Sequence, residues 1–185
     1  HALARTSPGK IAVLIEAGPA FGTGHHGTTL GCLLALDEVR RRRAIGKVLD
    51  LGTGSGVLAI AAMKAGAHSA IGTDIDFDSV RVANENAEKN HVSGFTALHI
   101  TGANTPRIRQ GGPYDTVFAN ILMKPLIGLA PTIAPLTAPG GTVILSGLLH
   151  HQAGPVRSAF AARGLSFQHR IKKAGWSTLV FRKPG

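Results

Sequence analysis

Short apolar runs alternate with helix-period segments along most of the chain. Lys47-Val48-Leu49-Asp50 is an apolar run ending in a glycine cluster, the pattern of a buried strand. Val57 to Ala65 is almost wholly apolar and predicts a buried helix. Ser69 to Thr73 predicts a second strand, closed by Asp74. From Phe77 to Asn90, apolar residues at Phe77, Val80, Ala83 and Ala87 fall on one helical face. Asp76 suits the N-cap of that helix and Asp78 its first turn. Thr96 to Thr101 and Tyr114 to Ala119 predict two more strands, the latter ended by Asn120. Met123 to Ile133 predicts a helix with Pro125 in its first turn. Pro139-Gly140-Gly141 predicts a turn, and Thr142 to Leu145 a fifth strand. His150 to Arg163 predicts a helix stopped by Gly164, and Ser166 to Lys173 with Thr178 to Arg182 an antiparallel closing pair.

Strands alternating with helices predict an α/β fold: a mostly parallel sheet with helices on both faces and a closing antiparallel pair. The first 43 residues depart from this pattern. They hold one strand-like run (Ile11 to Ile15), a Gly-rich loop (Gly18 to Thr29), a helix (Thr28 to Val39) and the basic run Arg40 to Arg43.

Composition narrows the class. The hydrophobic fraction of 44% is enough for a packed core, so the net charge of +10 does not mark a disordered basic tail. One cysteine, Cys32, forms no internal disulfide and fits a small core residue. No apolar run approaches the roughly 18 residues of a membrane span. The 24 glycines, nearly double the usual ~7%, point to tight turns or a ligand-cradling loop.

One such loop is Asp50-Leu51-Gly52-Thr53-Gly54-Ser55-Gly56, which joins a strand to a helix where open α/β sheets bind ligands. The spacing G-x-G-x-G disfavours a dinucleotide, whose pyrophosphate goes with G-x-G-x-x-G. By itself the loop fits a tight structural turn equally well. Asp74, at the end of the next strand, adds a carboxylate able to accept from both ribose hydroxyls, although a helix-capping role would also suit it. Loop and acid together point to a nucleoside ligand. Asn120-Ile121-Leu122 places an amide that both accepts and donates at the end of another strand, where a turn-forming Asn is the plain alternative. In Phe21-Gly22-Thr23-Gly24-His25-His26-Gly27-Thr28-Thr29, two threonines open a helix whose free N–H groups suit a carboxylate, or simply cap it.

The combination of Phe21-Gly22-Thr23-Gly24, His26, Thr28-Thr29, the Asp50 to Gly56 loop, Asp74-Ile75-Asp76, Ala119-Asn120-Ile121-Leu122 and Ser146-Gly147 resembles the ribosomal protein L11 methyltransferase (PrmA) family from about Ile11 to Lys183. The glycine loop and Asp74 are shared by many methyltransferases that use S-adenosylmethionine. The Phe21 to Thr29 segment coupled to Asn120-Ile121-Leu122 is much more specific.

The resemblance implies a Rossmann-like seven-stranded methyltransferase fold with S-adenosyl-L-methionine as cofactor. It implies cofactor contacts at Phe21, Thr28, Thr29, Asp50, Gly52, Gly54, Gly56, Asp74, Ile75 and Asn120, with Asn120 also catalytic. It implies a cytoplasmic enzyme that methylates lysine and N-terminal amines of a large-subunit ribosomal protein, with ribosomal RNA near its basic surface and no membrane or metal partner. Residues 1–43 are expected to form a cofactor-covering loop and helix, and 44–185 the methyltransferase core, together one catalytic domain without the family's separate N-terminal recognition domain. Gly27 departs from the proline common in the family.

Two other histidine pairs and three basic clusters remain. His25-His26 and His150-His151 lack the cysteine or carboxylate partners of a metal site. Arg40 to Arg43, Arg107 with Arg109, and Arg170 with Lys172-Lys173 supply much of the charge, as a solvated face or as a surface for a polyanion. The charge favours a nucleic-acid methyltransferase as the alternative enzyme. Against it, Ile121 and Leu122 stand where enzymes acting on exocyclic amines usually carry two prolines. A non-catalytic fragment that binds S-adenosylmethionine is a further alternative, and the loop spacing disfavours a nicotinamide oxidoreductase.

Overall fold

The computed structural model describes residues 11–16 and 26–185. In chain order the elements are α1 (His26–Arg42), β1 (Lys47–Leu51), α2 (Val57–Lys64), β2 (Ser69–Asp74), α3 (Phe77–Lys89), β3 (Phe95–His99), α4 (Pro106–Gly111), β4 (Tyr114–Asn120), α5 (Met123–Leu136), β5 (Thr137–Leu149), a 3-10 turn (His150–Gln152), α6 (Ala153–Ala161), β6 (Ser166–Lys173) and β7 (Trp176–Arg182). One sheet runs β3-β2-β1-β4-β5-β7-β6. The first five strands in that order pair in parallel, while β7 pairs antiparallel with both β5 and β6. This is the α/β sheet with a closing antiparallel pair that the alternation predicts.

Strand periodicity sorts the core into two layers. Leu49, Leu51, Val117 and Ala119 pack on one face with Ile108, Leu126, Ile133 and Phe160 from α4, α5 and α6. Val48, Phe118 and Ile144 pack on the other face with Cys32, Leu36, Ile60 and Ala83 from α1, α2 and α3. The residues before β1 thus complete the second layer through α1. Asp76 caps α3 as its position predicts, its Oδ2 accepting from the Ser79 N–H at 3.0 Å. The Ser79 hydroxyl and backbone hold the Asp76 carboxyl below its usual pKa.

Four expectations need correction. Ile11 to Ile15 is no strand, because its peptide groups pair with side chains rather than with a neighbouring strand. The Leu14 N–H donates to Asn90 Oδ1 (2.8 Å), Asn90 Nδ2 donates to the Leu14 carbonyl (2.6 Å), and the Glu16 N–H donates to Asn86 Oδ1 (3.1 Å). Pro139-Gly140-Gly141 is not a turn before the fifth strand but an irregularity within β5, where the register against β4 shifts between Tyr114 and Thr116. The single helix expected from His150 divides into a 3-10 turn and α6. Finally, α4 has no counterpart in the periodicity, although Thr105 caps it and Pro106 opens it, a usable start signal.

Candidate active site

The carboxyl ends of β1, β2 and β4 open onto a cavity of about 490 Å³. Gly52, Asp74, Ile75, Ile121 and Leu122 line it, with Ile100 to Gly102 after β3 and Pro125 and Leu129 from α5. A sheet whose order reverses beside its first strand leaves its ligand crevice here.

The loop after β1 is folded onto β2. The N–H groups of Gly52 and Thr53 both donate to the Thr73 carbonyl, at 2.8 and 2.9 Å. Asp74 Oδ2 accepts from the Gly54 N–H at 2.9 Å, and Oδ1 from the Asp76 N–H at 3.0 Å. Asp74 therefore latches the loop while staying half-exposed on the crevice, so the capping and ligand readings are not exclusive. Gly52 is required twice over: its φ of +69° is left-handed, and a Cβ would overlap Ile121 Cγ2. Gly54 faces open space, and Gly56 is the buried N-cap of α2.

Asp50 lies behind this loop, 1% exposed. Its Oδ2 accepts from Thr53 Oγ1 at 2.7 Å. Burial raises its pKa to about 6, the Thr53 and Ala59 hydrogen bonds oppose that rise, and the Asp74 charge adds to it. Asp50 is a support of the loop and not part of the cavity lining. The neighbouring Cys32 thiol is pushed far up by burial and further by the Asp50 charge, against a hydrogen bond with Ser146. Such a thiol is inert at neutral pH.

The opposite wall is Ile121 and Leu122, directly after β4 and backed by β5; Asn120 itself is not among the lining residues. Asn120 stands opposite Ser146 in the parallel register. Gly147 has φ +85°, and a Cβ there would overlap the Ile121 carbonyl oxygen, so the two backbones touch. Ile121 is wedged between Gly52 and Gly147. Asn120 is half-buried, and its side-chain amide bonds to no described residue. Leu122 (66% exposed) and Ile75 (70% exposed) hold large apolar side chains to solvent at the cavity rim.

The segment that opens α1 is placed only in part. Phe21 and the loop through His25 lie outside the described residues. Thr28 is fully buried, its carbonyl accepting from Ser146 Oγ at 3.3 Å. Thr29 is half-buried in the first turn. Thr28 is thus enclosed by protein rather than turned to the cavity. Among the described residues, no three or more His, Cys, Asp or Glu gather as metal ligands, and no helix is long and apolar enough to cross a membrane.

Ile100 to Gly102, Pro125 and Leu129 are cavity residues that the local pattern missed. Sheet order alone brings them to Asp74. Leu122 did carry a signal, since a large apolar residue directly after a strand end has no core to enter.

The seven-stranded sheet, with its glycine loop after β1 and acid after β2, is the Rossmann-like fold of methyltransferases. A crystal structure of ribosomal protein L11 methylase from Lactobacillus delbrueckii subsp. bulgaricus superposes with a TM-score of 0.77 at 30% identity, covering 85% of this chain and 79% of that one. The sequence profile of the ribosomal protein L11 methyltransferase (PrmA) family matches residues 2–184, and the chain belongs to that family. It is 47% identical over 184 residues to the ribosomal protein L11 methyltransferase of Caulobacter sp. (strain K31), and 50% identical over 186 residues to that of Bradyrhizobium diazoefficiens. All of this chain is covered in both alignments, but only 64% and 63% of those relatives.

Proposed function

We propose that this chain is the catalytic region of an enzyme that transfers methyl groups from S-adenosyl-L-methionine to amines of ribosomal protein L11, at lysine side chains and the N-terminus. The observation that carries this reading is the pairing of two unlike walls across one cavity: the latched loop with Asp74 on one side, and Ile121-Leu122 on the other, directly after Asn120, whose amide bonds to no described residue. Family membership and the names of the relatives support it. Residues 1–43 would supply the loop and helix over the cofactor, and 44–185 the core, in a cytoplasmic enzyme working near ribosomal RNA.

The residues present fit the cofactor. Asp74 retains acceptor capacity for ribose hydroxyls, since each oxygen holds one backbone donor. The exposed Ile75 and Leu122, with Ile100 and Leu129, offer apolar surface to a planar base. Within the loop, Ser55 Oγ is buried without a hydrogen-bond partner among the described residues. Gly52 provides backbone at the cavity, and Gly54, Thr29 and Phe21, the last outside the described residues, are proposed as further cofactor contacts. Asp50, Gly56 and Thr28 would act by holding that backbone in place.

Bound S-adenosylmethionine supplies a methyl group on a cationic sulfonium. The amine that accepts it must be neutral, whereas only about one lysine in a thousand is neutral at pH 7. Desolvation in the cavity, beside a positive charge, lowers that pKa. Asn120 Oδ1 accepts an amine N–H and aims the nitrogen lone pair, so positioning supplies most of the rate. No general base is required, since water takes the released proton.

The test is transfer of labelled methyl groups to isolated ribosomal protein L11, by this chain and by the chain with upstream sequence restored. The reading expects label in the protein. Label in ribosomal RNA and none in protein would overturn it.

A further inference from the structure

The charge is divided along the sheet. All ten carboxylates occur by Asp115; residues 116–185 contain no Asp or Glu but eight Lys and Arg. Those 70 residues form most of β4, then α5, β5, the 3-10 turn, α6, β6 and β7, so one end of the sheet carries nearly all of the excess positive charge. Some of these cations have structural work. Lys183 Nζ donates to the carbonyls of Ala134 and Thr137, and Arg157 stacks over Phe167. Arg170, Lys172 and Lys173 on the edge strand β6 have no ion pair among the described residues, and neither has Arg42 at the end of α1.

α1 brings Arg42 to the same edge. Glu38 of α1 pairs with His169 of β6 at 2.8 Å, and Glu38, Arg41, Arg42 and His169 line one surface cleft of about 390 Å³. Of the acids of α1, Asp37 pairs with Arg40 and Arg41, whereas Glu38 has the close contact with His169 Nε2, which is not a hydrogen bond. A bulge between Phe167 and His169 turns the strand, so that Phe167 packs toward α6 and Ile171 toward α1. Alternation then puts Arg170 and Lys172 on the opposite face from Ile171. Cations thus flank the edge on both sides.

We propose that this edge, formed by β6 and the end of α1, is a docking surface for an RNA backbone. Protection of an edge strand explains Lys172 and Lys173 but not the arginines that α1 and α6 bring beside it. An anionic membrane is the weaker occupant, since none of the exposed large hydrophobic side chains of the described residues belongs to β6 or α6. Arg42, Arg170 and Lys172, without ion pairs among the described residues and outnumbering the one carboxylate of the cleft, Glu38, match phosphate oxygens. The choice of RNA over other polyanions rests on the proposed function, which takes a ribosomal protein as its substrate.

Anisotropy of a labelled 20-nucleotide RNA strand and of a 20-base-pair RNA duplex, from 50 to 200 mM KCl, tests the proposal without any methyl transfer. Affinity should fall at least 10-fold over that range, as expected for about three or more phosphate contacts. The triple variant Arg42→Glu/Arg170→Glu/Lys172→Glu should bind at least 10-fold more weakly, with a salt slope shallower by about 2. A triple of equal charge change elsewhere, Lys64→Glu/Arg107→Glu/Arg109→Glu, should lose less than 3-fold. Thermal melting checks that both fold; should the edge triple fail to fold, Arg42→Glu and Lys172→Glu singly should each cost about 2- to 4-fold. Equal losses in the two triples, no binding by the parent chain, or binding to phosphatidylserine vesicles in place of RNA would each overturn the proposal. Failure of RNA binding would leave transfer to isolated protein intact, and the reverse also holds.

Discussion

On the cavity wall formed by β1 and β2, polar groups are spent on one another. Asp74 holds Gly54 and Asp76, Thr53 holds Asp50, and the Thr73 carbonyl holds two N–H groups. At the junction of β4 and β5, the backbones are pressed together at Ile121 and Gly147, but the Asn120 amide has no partner among the described residues. The first wall is a pre-shaped cradle that needs no rearrangement to receive a nucleoside. The second is a rigid mount for one polar side chain. A binding surface gains from preorganisation of its loop, whereas a reacting group must keep its hydrogen-bonding capacity for the substrate.

Substitutions can break this contrast in graded ways. The largest effect is expected at Gly147, where any side chain meets backbone at positive φ. Gly147→Val should cost about 4 kcal/mol of stability in urea unfolding; a loss under 1 kcal/mol would mean the second wall is not rigid. Next comes Asp50. Its folded-state pKa is raised from 3.8 to about 6, so its penalty is absent below pH 4, where the carboxyl is protonated in both states. Stability is lost as pH rises through 6, up to about 3 kcal/mol. Asp50→Asn, which can still accept from Thr53, should gain on the parent by that amount between pH 4 and 7. Parallel pH–stability curves for the two would contradict the burial argument.

Asn120→Ala should lower turnover about 100-fold, with cofactor affinity changed less than 3-fold. The smallest effect is expected from Asp74→Ala, which should weaken S-adenosylmethionine binding about 10- to 30-fold by calorimetry, from the loss of charge-assisted bonds. Loss of turnover at saturating cofactor in that variant would blur the division between the walls.

Much of the fold was legible because period and punctuation agreed. Asp76 capped its helix, and the glycine loop fell between a strand and a helix. The failures have physical reasons. Ile11 to Ile15 has strand-like residues, but Asn90 and, for the adjoining Glu16, Asn86, 70 or more positions away, supply the hydrogen bonds. α4 buries only Ile108 and is too short to show a period. Of the cavity lining, Gly52, Asp74 and Ile75 could be named because each ends or follows a strand, while Asn120 directly precedes the lining Ile121. Asp50 and Thr28 belong to the same motifs, but their burial depends on packing from distant elements that local spacing does not encode. Ile100 and Leu129 reach the cavity only through the strand order.

The most direct test places Asn120→Ala and Asp74→Ala side by side. Single-turnover methyl transfer to ribosomal protein L11 would be measured at saturating S-adenosylmethionine, with the dissociation constant of the cofactor on the same samples. The account predicts that Asn120→Ala loses about 100-fold in rate with near-normal affinity, and that Asp74→Ala loses affinity with a near-normal rate. Rates and affinities falling together in both variants would contradict it.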